Sequence, residues 1–179
     1  MITSTPVNSS SLTVPYPVFY SSTTGASGGT GQDMAVTTLI LCNTGAVTLS
    51  DETINSVNVS IYLVKGGESA ATKHLVVNNL TIPAGETFFF SEERIILNGI
   101  DGGNKDFVAV GATSGGTESA GSFTLGANYT ILSTGSTNFV AIGAADNNPG
   151  THFTATGIGS GTGTAIRNLI SCTVSSLPV

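Results

Sequence analysis

The chain has no tryptophan, two cysteines and two histidines, and only 9% of its 179 residues are charged. Each shortage narrows what the protein does. Five Lys and Arg against 11 Asp and Glu give a formal charge of -6, so there is no basic footprint for nucleic acid or an anionic membrane surface. No apolar run approaches the ~20 residues that a bilayer-spanning helix needs. Met1-Ile2-Thr3-Ser4-Thr5-Pro6 has neither the basic nor the apolar stretch of a cleaved secretion signal, and the expectation is a protein made and assembled without membrane translocation. On that expectation the sequons at Asn8, Asn58, Asn79 and Asn128 are by-products of a Thr/Ser/Asn-rich composition rather than glycosylation sites. Cys42 and Cys172 each lie in a strand-like run. They read first as two buried, inert thiols; a disulfide across neighbouring strands stays open, though a reducing assembly compartment disfavours it.

What the chain does contain is 40% hydrophobic residues and 23 glycines, with many Thr and Val, a mixture that favours an all-β protein. Residues 1–11 read as an extended N-terminal arm. Residues 12–20 form an apolar, extended stretch whose Pro15 and Pro17 confine it to a sheet edge, because each removes a ladder donor. Residues 21–32 are a Gly/Ser/Thr loop. The run from Val36 to Cys42 suits a doubly buried strand, and Val57-Asn58-Val59-Ser60-Ile61-Tyr62-Leu63 alternates with one apolar face. Extended character resumes from His74 to Ile82, Pro83-Ala84-Gly85-Glu86 is a turn, and Thr87-Phe88-Phe89-Phe90, Arg94-Ile95-Ile96-Leu97 and Phe107-Val108-Ala109-Val110 are further strands. No sustained helical stripe with caps occurs. The fold class is therefore all-β, an antiparallel β-sandwich or jelly-roll-like domain.

The last run, from Asn168 to Leu177, alternates as well as any earlier strand, yet a Gly/Thr-rich stretch separates it from Phe107-Val108-Ala109-Val110. That stretch is flanked by Ser114-Gly115-Gly116-Thr117 and Gly159-Ser160-Gly161-Thr162-Gly163, which read as flexible linkers. The expectation is a sandwich of residues 1–116 plus 165–179, with residues 117–164 a small β-module inserted before the last strand. Insertions at loop tips are tolerated because closure entropy grows slowly with loop length.

Both parts resemble small virion proteins of tailed bacteriophages, especially those infecting marine bacteria and cyanobacteria. In the sandwich the resemblance runs through Leu39-Ile40-Leu41-Cys42-Asn43-Thr44, Val57-Asn58-Val59-Ser60-Ile61-Tyr62-Leu63, Ile82-Pro83-Ala84-Gly85-Glu86 and the closing Thr173-Val174-Ser175-Ser176-Leu177-Pro178-Val179. In the module, Tyr129-Thr130-Ile131, Phe139-Val140-Ala141-Ile142-Gly143-Ala144 and Phe153-Thr154-Ala155-Thr156-Gly157 with the following glycine run are similar to an accessory module of phage tail, fibre and other virion proteins. The resemblance implies a structural virion component attached to capsid, neck or tail, partnered by other virion proteins and by its own copies as a homo-oligomer. It brings no catalytic residue, cofactor or metal.

The residues themselves offer little chemistry. His74 and His152 are far apart and strand-like, which favours structural or solvent-facing roles over general bases. Glu92 and Glu93 are neighbours that would point to opposite faces of a strand; with Arg94 they read as a solvated turn. Asp101-Gly102-Gly103-Asn104-Lys105-Asp106 alternates oxygen ligands but lacks the distal Glu of a calcium loop and carries an opposing Lys105, so it reads as a turn. Asp146-Asn147-Asn148-Pro149-Gly150 is a turn signal as well. The glycines from Gly157 to Gly163 lead into another β-segment rather than a helix, so they make no phosphate cradle. Tyr129, Phe139 and Phe153 are candidates for the module's core; the competing function, a host-surface or carbohydrate-binding fibre module, would use them as an exposed sugar platform. The expectation is no enzyme, no cofactor, no metal and no nucleic-acid or membrane partner. Residues 12–20 and the arm before them are the candidate contact with other virion proteins, through strand addition.

Overall fold

A computed structural model of the chain describes residues 1–9, 11–13, 15–21, 33–45, 55–91, 94–99, 105–113 and 115–179. Among these residues the strands, in chain order, are β1 (Ile2–Pro6), β2 (Tyr16–Tyr20), β3 (Met34–Asn43), β4 (Val57–Val64), β5 (Leu75–Ile82), β6 (Thr87–Phe90), β7 (Ile95–Leu97), β8 (Phe107–Ala112), β9 (Thr117–Ser119), β10 (Asn128–Ser133), β11 (His152–Thr154), β12 (Thr164–Asn168) and β13 (Ile170–Pro178). Every pairing is antiparallel, and the fold is all-β with a sandwich-like larger unit. The chain divides into two compact units, one of residues 1–113 and 170–179, the other of residues 114–169.

In the larger unit, sheet A runs β1-β13-β3-β6, with β7 also paired to β3, and sheet B runs β2-β8-β4-β5. β6 lies against Leu39 to Cys42 and β7 against Met34 to Val36, so the two are halves of one interrupted edge strand along β3. The pairing is nested: the first strand with the last, the second with the last but one, β3 with β6 and β7, and β4 with β5. β13 therefore lies in sheet A between β1 and β3, although the smaller unit precedes it in the chain.

Alternation decides which side chains meet in the core. Leu39, Leu41 and Asn43 on β3 face inward with Ile170, Cys172 and Val174 on β13, and Val57, Val59, Ile61, Val108 and Val110 are buried from sheet B. A strict period of two from Leu39 back along β3 would send Met34 and Val36 outward. Instead the register slips between Ser175 and Ser176, leaving Thr37 as an extra residue on β3, and Val36 returns to the inner side opposite buried Ser176. Such a bulge converts a one-residue slip into a local bend without losing the apolar face. The Thr37 hydroxyl donates to the Ser175 carbonyl at 3.2 Å. A second irregularity lies between β4 and β5, where Asn79 takes φ 53° and its amide donates to the buried Ser60 Oγ at 3.0 Å.

Part of the outer side of sheet B is covered by its own unit as well. Tyr62, Val64 and Ala109 form a small outer cluster with Ala70, Leu75 and Phe107. The Leu12 backbone lies so close to Gly111 that a Cβ there would come within 2.4 Å of the Leu12 carbonyl oxygen, and the Tyr62 hydroxyl donates to that carbonyl at 2.7 Å.

Three sequence expectations are corrected. Residues 1–11 are not an arm: β1 pairs with β13, Val7 and Ser9 are buried, the Val7 amide donates to the Ile170 carbonyl, and the Ser9 Oγ accepts the Ala112 amide. β3 is not doubly buried: Thr38, Ile40 and Cys42 on its outer side stay half-exposed. His74 ends a short 3-10 turn, Thr72–His74, rather than opening a strand. β2 occupies an edge of sheet B, as its prolines require. Of the loop expected over residues 21–32, all but Ser21 lies outside the described residues.

The smaller unit is one four-stranded sheet, β11-β10-β12-β9, with Phe123, Tyr129, Ile131, Phe139, Ile142, Phe153 and Ala165 in its core. It is wider at both ends than the sequence boundaries, because β9 pairs with β12 and Gly115 and Gly116 exchange backbone hydrogen bonds with Arg167. Its two ends therefore leave side by side, the geometry that an insertion into one loop requires.

Candidate functional site

The motif ending β3 and the turn after β5 meet at one residue. Asn43 is fully buried. Its Nδ2 donates to the carbonyls of Asn55 at 2.7 Å and Ile82 at 2.9 Å, and its Oδ1 accepts the Gly45 amide at 2.9 Å. Its main chain accepts from Gly85 and donates to Glu86, each at 3.0 Å. Gly85 sits at φ 76° in the turn closed by the Glu86 amide on the Pro83 carbonyl, the left-handed position that a type II turn gives to glycine. A single amide side chain thus joins the end of β3 to the start of β4 and the end of β5. It is a structural junction, with its polar atoms engaged by the backbone and none aimed at solvent.

The titratable residues do not converge. His74 lies in the larger unit and His152 in the smaller. His74 Nδ1 accepts the Ala71 amide at 3.1 Å, which makes Nε2 the protonated nitrogen, and Nε2 lies 3.0 Å from Glu68 Oε2. Lys73 also bonds Glu68, and its hydrogen bond, followed by that of His74, holds the Glu68 carboxyl below the usual range. His152 Nδ1 lies 2.8 Å from the Thr130 hydroxyl, and partial burial lowers its pKa.

Cys42 and Cys172 sit on adjacent strands but on opposite faces. Cys172 lies opposite Leu41 and is buried, whereas Cys42 lies opposite Ser171 on the outer side. Both thiols are free, and the geometry closes the disulfide alternative. Burial pushes the Cys172 thiol up to about 12.

The described carboxylates of the two candidate oxygen-ligand segments, Asp106 and Asp146, are engaged within the protein. Asp106 accepts the Gly66 amide at 2.8 Å on one oxygen and the Asn98 amide at 3.1 Å on the other; positions 101–104 lie outside the described residues, as do Glu92 and Glu93. Asp146 accepts the Thr151 hydroxyl and the Asn148 amide, and these bonds, the hydroxyl's foremost, lower its pKa. Asn147 Oδ1 takes the amides of Phe139 at 2.7 Å and Val140 at 3.2 Å. Among the described residues, no group of three His, Cys, Asp or Glu is placed to hold a metal ion.

In the module, Tyr129, Phe139 and Phe153 are buried with Phe123, which sequence reading had not singled out. Phe123 packs on Tyr129, Phe139 and Phe153 at ring separations of 5.0, 5.8 and 6.0 Å. The glycine run is packed, not a linker. A Cβ on Gly163 would stand 2.5 Å from the Thr134 carbonyl oxygen and 2.8 Å from the Phe139 ring, and Gly159 abuts Phe123 and Ile142. Sequence reading also missed the pairing of Glu118 with Tyr129 and Arg167. The Tyr129 hydroxyl donates to Glu118 at 2.6 Å and accepts the Thr124 amide, and Arg167 lies 3.6 Å from Glu118. Burial first, and then the bond to Glu118, raise the Tyr129 pKa. The alternation of Thr117-Glu118-Ser119 against Ala165-Ile166-Arg167 was the only sequence signal for it.

What remains is surface. Among the described residues, the outer side of sheet A carries Ile2, Ser4 and Pro6 from β1, Ser171, Thr173, Ser175 and Leu177 from β13, Thr38, Ile40 and Cys42 from β3, and Thr87, Phe89 and Ile96 from β6 and β7. No family model, no curated protein and no solved structure matches the chain.

Proposed function

We propose that the chain is a structural component of a phage virion, an accessory protein attached to capsid, neck or tail that stabilises or decorates the particle. The observation that carries this reading is how its polar and titratable groups are used. Among the described residues, Asn43, Asp106, Asp146, Asn147, Glu118 and Tyr129 each serve the protein's own backbone or core. They set turns and join strands, and no proton or electron transfer enters the reading. The nested strand pairing supports a jelly-roll reading of the sandwich, an architecture that closes two sheets around one core and keeps free edges few. Two of the stretches that carry the phage resemblance in the sandwich, Cys42-Asn43 and Ile82-Pro83-Ala84-Gly85-Glu86, bond to each other through Asn43, so that part of the resemblance rests on residues with a shared structural task.

The module joins such a body as an accessory, and as a host-binding element it lacks its expected platform, since Tyr129, Phe139 and Phe153 are core residues. The test is protein composition. Purified particles of the phage encoding the chain are expected to contain it in a fixed ratio to the major capsid protein by quantitative mass spectrometry. Its absence from washed particles, while it is abundant in the infected cell, would reject the reading.

A further inference from the structure

We propose that the outer side of sheet A is where a second copy of this chain docks, sheet against sheet; this rests on the structural-component reading for where copies gather, and on the molecule itself for the pairing. The residues facing outward on its strands, set out above, include no charged side chain. Four of the apolar members are highly exposed, Phe89 61%, Ile96 55%, Leu177 51% and Ile2 75%, while Ile40 and Cys42 are half-buried. Exposed clusters of this kind mark interaction surfaces.

Three observations together favour a second copy as the occupant. The first is charge. Two chains each carrying -6 repel, and they approach most easily on a face that brings no like charges together. The second is composition. The apolar residues lie towards the two ends of β3, Ile40, Cys42 and Phe89 at one and Ile96 and Leu177 at the other, with Thr38, Thr173 and Ser175 between them. Two copies stacked with their β3 strands aligned about a two-fold axis place apolar end on apolar end, as an isologous contact requires. The third is area. Strands of five, nine and ten residues and an edge strand of four plus three, spaced ~4.8 Å apart, offer roughly 500 Å² per copy, so a pair buries about 1,000 Å², the lower end of a specific interface. Sheet B shows the contrast, since part of its outer side is already occupied by Leu12 and the Tyr62 cluster.

Cys42 lies on this face, whereas Cys172 is buried in the core, so Cys42 is a built-in reporter. The full-length chain is expected to sediment at twice its 18.0 kDa mass at high concentration and to shift to single mass on dilution, with maleimide labelling of Cys42 slow in the first state and fast in the second. Phe89→Lys combined with Ile96→Lys places charge on the face at two exposed positions; it is expected to weaken pairing by at least about tenfold while leaving the far-ultraviolet spectrum and denaturation midpoint unchanged. A chain that is monomeric at every concentration overturns the proposal. So does pairing that survives both lysines with Cys42 still labelled freely, or a chain that stays monomeric alone yet has Cys42 protected on purified particles, which would make another virion protein the occupant. A chain that pairs in solution but is missing from particles overturns the structural-component reading and leaves the pairing standing; one that is present in particles yet monomeric when pure overturns the pairing alone.

Discussion

At the scale of single residues, the protein relies on polar side chains that complete the backbone. Asn43 is the clearest case, because a buried amide with all three of its side-chain bonds made contributes order that an apolar residue of the same size cannot. Asn43→Ala is expected to destabilise the larger unit by about 2–3 kcal/mol, since the Asn55 and Ile82 carbonyls and the Gly45 amide lose their partner; urea denaturation followed by circular dichroism measures it, and an unchanged midpoint would remove the junction. Gly163→Ala is expected to cost about 1–3 kcal/mol by overpacking against the Thr134 carbonyl and Phe139, read as a lower unfolding midpoint of the module. Cys172 gives a pH dependence of definite sign. Its thiol is held up at about 12, against 9.0 when unfolded, so between those values the unfolded chain has lost a proton that the folded one keeps, and stability falls as pH rises through that window. Cys172→Ala is expected to lower stability at neutral pH through the lost packing and to flatten the decline above pH 9.0 relative to the parent; a decline of equal slope in both would contradict the assignment.

At the scale of elements, strand existence was legible because alternation is a local signal. Val57 to Leu63, Phe107 to Val110 and the closing run all read correctly, as did the Pro83-Ala84-Gly85-Glu86 turn and the edge position of the proline-bearing strand. What escaped was what a local pattern does not encode. Ile2-Thr3-Ser4-Thr5-Pro6 looks like an arm because the side it turns to the core carries only Thr3 and Thr5 and so shows no apolar alternation, and the buried Val7 and Ser9 that tie it down follow the strand rather than lie in it. The glycine run looked like a linker because composition does not distinguish glycine chosen for freedom from glycine chosen for closeness. The arm and strand readings separate by experiment. Deleting residues 1–9 removes β1, the burial of Val7 and the partner of the Ala112 amide, and is expected to cost about 3 kcal/mol of stability; an unchanged denaturation midpoint would restore the free arm.

At the scale of the whole molecule, the division into two units was readable from the interruption of an alternating pattern and its return in the last strand. The outer side of sheet A was not readable: Ile40, Cys42, Phe89 and Ile96 look like core residues in a linear pattern, and only the fold shows Phe89 and Ile96 exposed and Ile40 and Cys42 half-buried. Because Gly115 and Gly116 pair with Arg167, the ends of the smaller unit are adjacent, and replacing residues 114–169 by a short Gly/Ser turn is expected to leave the larger unit folded, with its cooperative unfolding intact. Loss of all cooperative structure in that variant would show that the sandwich depends on its insertion. The central claim, that this chain acts as a building part of a virion, is tested most directly by an electron cryo-microscopy reconstruction of the particle. The account predicts density for the nine-strand body at symmetry-related positions on capsid, neck or tail; a reconstruction with every density assigned to other chains would contradict it.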